Sequence, residues 1–313
     1  MSLSLSEKRI LVTGGTGFIG RRLVTKLVGM GNEVLVLSRS KTPHLLFSDT
    51  GGNSKLQFLC CDLTDDESLV SLSWNNVDYI VHMGALIPQR QPHTSINDTY
   101  FVNNVISTVK IGHIIPDNIS GFVYTSTLDV YGVPQCIPIT EKHPLNPRTF
   151  YGLSKLAGEQ YLQMIAQQRG FNLTVLRLTQ VYGPGEPVIK AIPRFINALG
   201  KHEPPIIYGD GSDVRDYLYV EDAVNAIVLA LANDQPGTYN IATGRGHRIA
   251  EVAQKLIDLS GLNLQPIFKP MTREKSEIVL DISLAMEKLN YYPKVSLDEG
   301  LRRQLMAILA GVQ

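Results

Sequence analysis

The sequence predicts an α/β fold, a doubly wound parallel sheet followed by a smaller C-terminal α/β region, and three observations carry that prediction. Ile10, Leu11 and Val12 form a short apolar run of the kind buried on both faces of a sheet, and Gly14, Gly17 and Gly20 follow it before a helical pattern begins at Arg21. Up to Leu178, runs of strand length alternate with stretches of helical spacing. Beyond Leu178 the character changes: turn clusters at Val181 to Pro187, Lys201 to Pro205 and Gly209 to Gly211 surround one short helix, Ile189 to Ala198.

The first strand leads into a phosphate-binding turn. Lacking a Cβ, Gly14 can take the tight turn, Gly17 lets a pyrophosphate approach the backbone, and Gly20 lets the helix pack closely on its strand. Phe18 and Ile19 carry the chain into that helix, whose N-terminal N–H groups and macrodipole favour an anion. Leu23, Val24, Leu27 and Val28 give its buried face, Gly31-Asn32 ends it, and Glu33 to Leu37 is a second buried strand. This is the first βαβ unit of a Rossmann-type dinucleotide-binding fold. Ser38, Arg39, Ser40 and Lys41 then stand where an acidic residue normally binds the ribose hydroxyls of NAD. An arginine there can pair with a 2′-phosphate and stack on adenine, which favours NADP(H). The alternative is a solvated Arg39, with NAD held by other contacts.

Thr42 to Ser54 reads as loop, and Leu56 to Cys61 as a third strand ending in Asp62-Leu63. Asp62 either accepts from the adenine amino group or caps a helix starting near Asp65. Val77 to Met83 is the fourth strand, and Gly84 and Ala85 after it are small enough to let the chain pass against a cofactor. His82 reads as a packed strand histidine. Ile96 to Ile115 has helical spacing, Gly121 to Thr125 is a fifth strand, and Ser126 and Thr127 follow at its carboxyl end, where open α/β sheets place their ligands. A proline-rich loop, Pro134 to Pro147, feeds a helix from Phe150 to Arg169, on which Tyr151 and Lys155 share one face. Leu173 to Leu178 is the sixth strand. Asp213 to Val220 returns as a strand, Glu221 to Ala232 as a helix and Tyr239 to Ala242 as a strand; helices near Ala250 to Leu259 and from Leu297 follow, with Arg273 between them. The expected division is a dinucleotide-binding domain over residues 1–180, rejoined by about 213–243, and a substrate-binding domain over 181–212 and 244–313.

The 313 residues carry 29 Lys plus Arg against 29 Asp plus Glu, so net charge supplies no reason to expect nucleic acid or an anionic membrane as partner. Cys60, Cys61 and Cys136 lack metal-ligand spacing; no metal site and no disulfide framework is expected, which suits a reducing compartment. No run reaches the roughly 18 apolar residues of a membrane span, so a cytoplasmic protein is expected. Met1 to Glu7 is polar and expected to fray.

Tyrosine is a poor base at its usual pKa of ~10, but a lysine four residues on, also contacting a nicotinamide ribose, can favour the phenolate. Thr127 can donate to the same substrate oxygen from the sheet side. With Ser126 beside it, this makes a proton-transfer site for an alcohol and ketone pair next to a hydride acceptor.

These residues resemble the extended short-chain dehydrogenases/reductases, in particular the NAD-dependent epimerase/dehydratase group acting on nucleotide sugars. The shared segments are TGGTGFIG at Thr13 to Gly20, CDL at Cys61 to Leu63, YTSTLDVYG at Tyr124 to Gly132, YGLSK at Tyr151 to Lys155, LRLTQVYGPG at Leu176 to Gly185 and VRDYLYVEDAV at Val214 to Val224. The resemblance implies bound NAD or NADP, contacted by the glycine turn, Ser38, Arg39, Asp62, Leu63, Gly84, Ala85, Asn104, Tyr151, Lys155 and Leu178. It implies Thr127, Tyr151 and Lys155, with Ser126, as the catalytic set, and Asn104 as support for the active-site helix. It also implies a sugar-nucleotide site at Thr127, Gln180, Arg215 and Arg273, with Arg215 on the diphosphate. A guanidinium suits that partner, although a salt bridge of Arg215 with Asp213 or Asp216 is the alternative. The family commonly pairs its two long helices into a four-helix bundle, so a homodimer is expected.

Two departures narrow the reaction. Dehydratases of the family carry Asp-Glu directly after the catalytic threonine, and this chain has Leu128 and Asp129; an aliphatic side chain cannot transfer a proton, so dehydration is disfavoured, though Asp129 retains one carboxylate. Gln180 stands where many members have Asn, which keeps the donor and changes its reach. The expected activity is a nucleotide-sugar 4-epimerase of the UDP-hexose type, passing through a transient keto-sugar by hydride transfer. An NADPH-dependent keto-sugar reductase is the runner-up, and a non-catalytic dinucleotide sensor has no need of the intact proton donors.

Overall fold

The computed structural model describes residues 5–40, 43, 47, 54–70, 76–88, 98–186, 190–271 and 275–311. The first half runs β1 (Arg9–Thr13), α1 (Phe18–Gly29), β2 (Glu33–Ser38), β3 (Leu56–Cys60), α2 (Asp66–Val70), β4 (Tyr79–His82), α3 (Asp98–Tyr100), a π-helical turn (Phe101–Ile106), α4 (Ser107–Ile114), β5 (Gly121–Thr127), a short 3₁₀ turn (Leu128–Val130), α5 (Phe150–Arg169) and β6 (Leu173–Leu178). The second half runs β7 (Gln180–Tyr182), α6 (Ala191–Gly200), β8 (Ile206–Tyr208), β9 (Val214–Tyr219), α7 (Val220–Ala232), β10 (Gly237–Ile241), β11 (Gly246–Arg248), α8 (Ile249–Ser260), β12 (Ile267–Lys269), β13 (Glu277–Ile278), α9 (Ser283–Leu289) and α10 (Leu297–Leu309).

Seven parallel strands lie in the order β10-β6-β5-β4-β1-β2-β3. The order reverses between β1 and β4, and a doubly wound sheet opens its ligand crevice there. Successive side chains of a strand point to opposite faces, so two cores form. Ile10, Val12, Val34, Val36 and Val123 pack on one face with Leu23 and Val24 of α1 and Ala223 of α7. Leu11, Leu35, Ile80, Phe122 and Tyr124 pack on the other with Ile111 of α4 and Leu162 of α5. Helix α5 starts at Thr149, whose side chain accepts from Gly152 N, and stops at Gly170 in the left-handed conformation.

The structure departs from the sequence reading in three places. The helical stretch expected at 96–115 is interrupted by the π turn, and residues 96 and 97 lie outside the described residues. The segment expected to return as one piece to the main sheet divides: β10 joins β6 and α7 packs on α1's face, whereas β9 pairs with β7, β11 and β13 in a separate small sheet. Period-2 patterning identifies a strand but not its neighbour, which pairing alone decides. A second small sheet, β8 with β12, and helix α9 carry too few residues to show a period in the sequence.

Candidate active site

Both strands at the point of reversal end in glycine-containing loops. Gly14 has a left-handed φ of +69°, and a Cβ there would stand 2.8 Å from the Met83 carbonyl carbon and the Gly84 nitrogen. A Cβ on Gly20 would run into the Gly14 carbonyl oxygen. Gly17 N donates to Gly14 O at 3.0 Å, and Gly17 heads α1 without a capping side chain, leaving the N–H groups of half-buried Phe18 and Ile19 for an outside acceptor. Arg22 donates to Phe18 O at 2.9 Å and to Pro184 O, which ties this cradle to the loop after β7.

The floor of the crevice is a chain of buried hydrogen bonds. Thr13 Oγ1 accepts from Gly84 N at 2.9 Å and lies 2.6 Å from His82 Nδ1; His82 Nε2 lies 3.0 Å from Thr108 Oγ1, which donates to Asn104 O at 2.6 Å. Because Thr108 uses its proton on Asn104, His82 must carry its own on Nε2. Burial, helped by the charge of Lys155, pushes the imidazole pKa down to about 3, so His82 is a neutral packed histidine.

Thr127 closes β5, and its Oγ1 accepts from Asp129 N at 3.3 Å. Ser126 beside it is 4% exposed, and its hydroxyl has no partner among the described residues. Tyr151 opens α5, half-buried, with the Tyr100 ring set edge-on at 6.3 Å. Lys155, one turn along, is 2% exposed, and its Nζ stands 4.0 Å above the ring of Tyr124. In the protein alone, burial dominates the protonation of this pair. Burial first, then the negative charge of Asp129, holds the Tyr151 pKa above its usual value against an opposing hydrogen bond from Thr127. Burial likewise pushes Lys155 down to about 7, opposed by Glu159. The resting tyrosine is a neutral phenol.

Asn104, in the π turn, joins this pair to the loop after β4. Its Oδ1 accepts from Leu86 N at 2.7 Å, and its amide donates to Leu86 O at 3.1 Å and to Ser154 Oγ at 2.9 Å; Ser154 Oγ donates to Tyr151 O at 2.8 Å. The extra residue of a π turn is a common way to aim a functional side chain inward.

At the far end of the crevice Ser38 is buried, its Oγ accepting from Ser40 N at 3.1 Å, and Arg39 is exposed. Asp62 does not cap α2: its Oδ1 accepts from Thr64 N at 2.9 Å and Thr64 Oγ1 at 2.7 Å, while Asp65 takes the cap through Ser68 N at 3.2 Å. Those Thr64 bonds, with a smaller part from Arg39, hold Asp62 below the usual carboxylate range. Leu63, Gly84 and Ala85 are half-buried along the same edge, and Lys41 lies outside the described residues.

Leu178 is buried at the end of β6 and Gln180 is half-buried at the start of β7. Arg215 is buried on β9, where it donates to Ser276 O at 2.8 Å, Ser276 Oγ at 2.7 Å and Val214 O at 2.7 Å and stands 3.6 Å from the Asp213 carboxylate. The salt-bridge alternative for Arg215 is therefore present. Arg273 lies outside the described residues. Sequence reasoning missed the buried pair Arg177–Glu159 and the Tyr131–Asn240 bond; the signal was an arginine inside the apolar strand LTVLRL. Among the described residues no group of His, Cys, Asp and Glu could hold a metal ion, and no helix is long and apolar enough to cross a membrane.

A glycine cradle at the sheet's reversal and a Tyr–Lys pair one helical turn apart under the next strand end are the build of the extended short-chain dehydrogenase/reductase class of NAD(P)-dependent enzymes. The chain belongs to the NAD dependent epimerase/dehydratase family, which it matches over residues 10–242. It is 34% identical over 303 residues to a putative UDP-glucose 4-epimerase of Methanocaldococcus jannaschii, covering 94% of this chain and 96% of that one. Among solved structures, the UDP-glucose 4-epimerase of Thermotoga maritima with UDP-glucose superposes with a TM-score of 0.84 at 29% identity, covering 97% of this chain and 100% of that one. The UDP-glucuronic acid 4-epimerase of Bacillus cereus, in complex with UDP-glucuronic acid and NAD, gives 0.85 at 26% identity over 97% and 100%.

Proposed function

We propose that this protein is a nucleotide-sugar 4-epimerase of the UDP-hexose type, with Thr127, Tyr151 and Lys155 as its catalytic set. The observation that carries the reading is geometric: Tyr151 and the buried Lys155 lie one helical turn apart on α5, Thr127 closes β5, and aliphatic Leu128 stands where a dehydratase carries one of its two acids. The relatives named as UDP-glucose 4-epimerases support the same reading.

The nicotinamide dinucleotide, when bound, supplies hydride acceptance and return. The residues suit such a group: Gly14, Gly17 and Gly20 leave room at a helix N-terminus, and the buried Ser126 hydroxyl lacks a partner among the described residues. Gly84, Ala85, Asn104, Leu178 and Lys155 would line its inner end, and Ser38, Arg39, Asp62 and Leu63 its adenine end. Tyr151 is poised to donate its proton to a keto oxygen, and Thr127 can donate to the same atom from the sheet edge. In the opposite half-reaction Tyr151 takes the carbinol proton as a phenolate, which the ammonium of Lys155 stabilises. Gln180, Arg215 and Arg273 are the proposed sugar-nucleotide contacts; Arg215 would have to share its donors with Ser276. The small sheets and α6, α8, α9 and α10 are the proposed substrate-covering domain.

At the adenine end the exposed Arg39 guanidinium is available to a 2′-phosphate, which argues for NADP(H) over NAD(H), although the Bacillus cereus relative holds NAD. The same observation favours the second reading, a one-way keto-sugar reductase using free NADPH. The exposed side chains of Phe101, Phe150, Leu153 and Met164, on the two long helical stretches, argue for a homodimer through that face. Exposed free cysteines, Cys60 and Cys136, argue for a cytoplasmic location. Supplying UDP-, GDP- and dTDP-hexoses with each cofactor separates the readings: interconversion of 4-epimers with retained cofactor supports the epimerase, and net consumption of NADPH on a keto-sugar supports the reductase.

A further inference from the structure

Behind the catalytic pair lies a charge arrangement that the proton chemistry above does not use. Glu159 follows Lys155 by one helical turn on the same face of α5, and its side chain is 1% exposed. Arg177, on β6, grips it with Nε at 3.1 and 3.2 Å from the two carboxylate oxygens and a terminal nitrogen at 2.7 Å from one of them. The guanidinium is fixed from its other side by Tyr131 Oη at 3.1 Å and Glu141 O at 3.3 Å, and Tyr131 donates in turn to Asn240 Oδ1 at 2.6 Å. Lys155 Nζ has the Tyr124 ring beneath it at 4.0 Å and no hydrogen-bond partner among the described residues.

A buried ion pair is costly to desolvate and is weak evidence of stabilisation. Its place beside a buried lysine gives it an electrostatic use. We propose that Glu159, clamped by Arg177, is a positioning residue that keeps Lys155 in its ammonium form, with the face of Tyr124 as the second support. Glu159, one turn from Lys155 on the same helix face, bears on it by charge while Arg177 does so less, and in a dry interior such a field is screened little. Cation–π attraction to the desolvated Tyr124 ring acts in the same direction.

The other titratable groups around Lys155 do not replace Glu159. His82 on β4 is neutral, Tyr124 on β5 and Tyr151 on α5 are protonated phenols, and Arg177 on β6 is the far end of the pair. Asp129 and Tyr100 bear on Tyr151. Burial has already pushed Lys155 down to about 7, with Glu159 opposing it. A lysine lowered in this way is charged below its folded pKa and neutral above it, so loss of Glu159 moves the loss of the ammonium to lower pH.

The inference rests on the reading of Lys155 as the functional lysine, and its test separates the two. Lysine ε-carbons of the full chain are ¹³C-labelled, the Lys155 resonance is assigned with Lys155→Met, and its titration is compared with the pH profile of kcat/KM. Glu159→Gln is expected to lower the Lys155 pKa by about one unit, a tenfold change in the ammonium-to-amine ratio, and to move the alkaline limb of the profile down with it. Glu159→Asp keeps the charge and is expected to keep the wild-type titration. Because Glu159→Gln strands a buried guanidinium that itself disfavours the ammonium, the double variant Glu159→Gln with Arg177→Gln offers a neutral, hydrogen-bonded pair and is expected to show a smaller fall in the same direction. An unchanged Lys155 titration in any folded variant lacking the charge overturns the proposal. If neither variant folds, the wild type decides: a Lys155 pKa at or above about 7 supports the proposal, and one well below 7 overturns it. Full turnover in Lys155→Met would instead sink the catalytic reading itself.

Discussion

The Tyr151 end of the crevice and the Arg39 end are built on opposite plans. Around Tyr151, Lys155, His82, Asn104 and Glu159 are buried, and each is held by a hydrogen bond, an ion pair or a ring contact. Past the buried strand end at Ser38, Arg39 and Ser40 are exposed, and the Asp62 carboxylate that Arg39 acts on is held by its own loop. Charge in a dry, fixed setting acts strongly and over a short path; charge in water is screened and acts weakly. On the proposed reading the chemistry belongs at the first end, because a proton must be held at one geometry. Cofactor preference can be set at the second because it needs only a modest difference in affinity.

The contrast is sharpest at Tyr151. Tyr151→Phe is expected to cut turnover by at least ~10²-fold while leaving cofactor and sugar-nucleotide binding nearly intact, since the ring still packs and only the transferable proton is lost. Steady-state rates beside calorimetric binding check this, and more than about a tenth of wild-type activity would remove Tyr151 from the catalytic role. Lys155→Met is expected to weaken both turnover and cofactor binding.

His82 tests the dryness of that end through stability. Its folded pKa of about 3 lies below the unfolded value of 6.5, so the unfolded chain binds more protons between them. Stability is therefore whole above about 6.5 and falls as pH drops toward 3. By pH 4 the loss is of order 3 kcal/mol, and His82→Gln is expected to flatten that part of the pH–stability curve measured in urea. A wild-type curve flat between pH 6.5 and 4 would mean that water reaches the imidazole.

The smallest effect is expected at the open end. Exposure limits an Arg39 ion pair to roughly 1 kcal/mol, a several-fold preference for NADP(H) that fades with added salt. Arg39→Asp is expected to reverse the order of the two dissociation constants. Equal affinities in the wild type, or a substitution that weakens both cofactors alike, would show that Arg39 lies on the adenine or in solvent.

The same contrast explains what was legible in the sequence. The glycine turn, the strand-ending Ser126-Thr127 and the Tyr151–Lys155 pair are local patterns, since each depends on spacing within one element, and the sheet around them follows from alternating runs. Strand β9 was legible as a strand but not as a member of the small sheet, because pairing is a long-range property. The π turn that aims Asn104 leaves no local mark. Arg177 and Glu159 sit on different elements, and only the oddity of an arginine in an apolar strand pointed to a buried partner. The protonation of Tyr151 depends on how much water its neighbours exclude, which no local pattern records.

The central claim is that Tyr151 and Lys155 serve a hydride that leaves and returns within one sugar nucleotide. The direct measurement is to supply UDP-galactose deuterated at C4, in ordinary water, to the protein with substoichiometric cofactor and to follow the products by NMR. The account predicts conversion to UDP-glucose with the deuterium kept at C4 and no net change in cofactor redox state. Loss of the deuterium to solvent during conversion, or a failure to interconvert the 4-epimers of UDP-, GDP- and dTDP-hexoses with either cofactor, would contradict it.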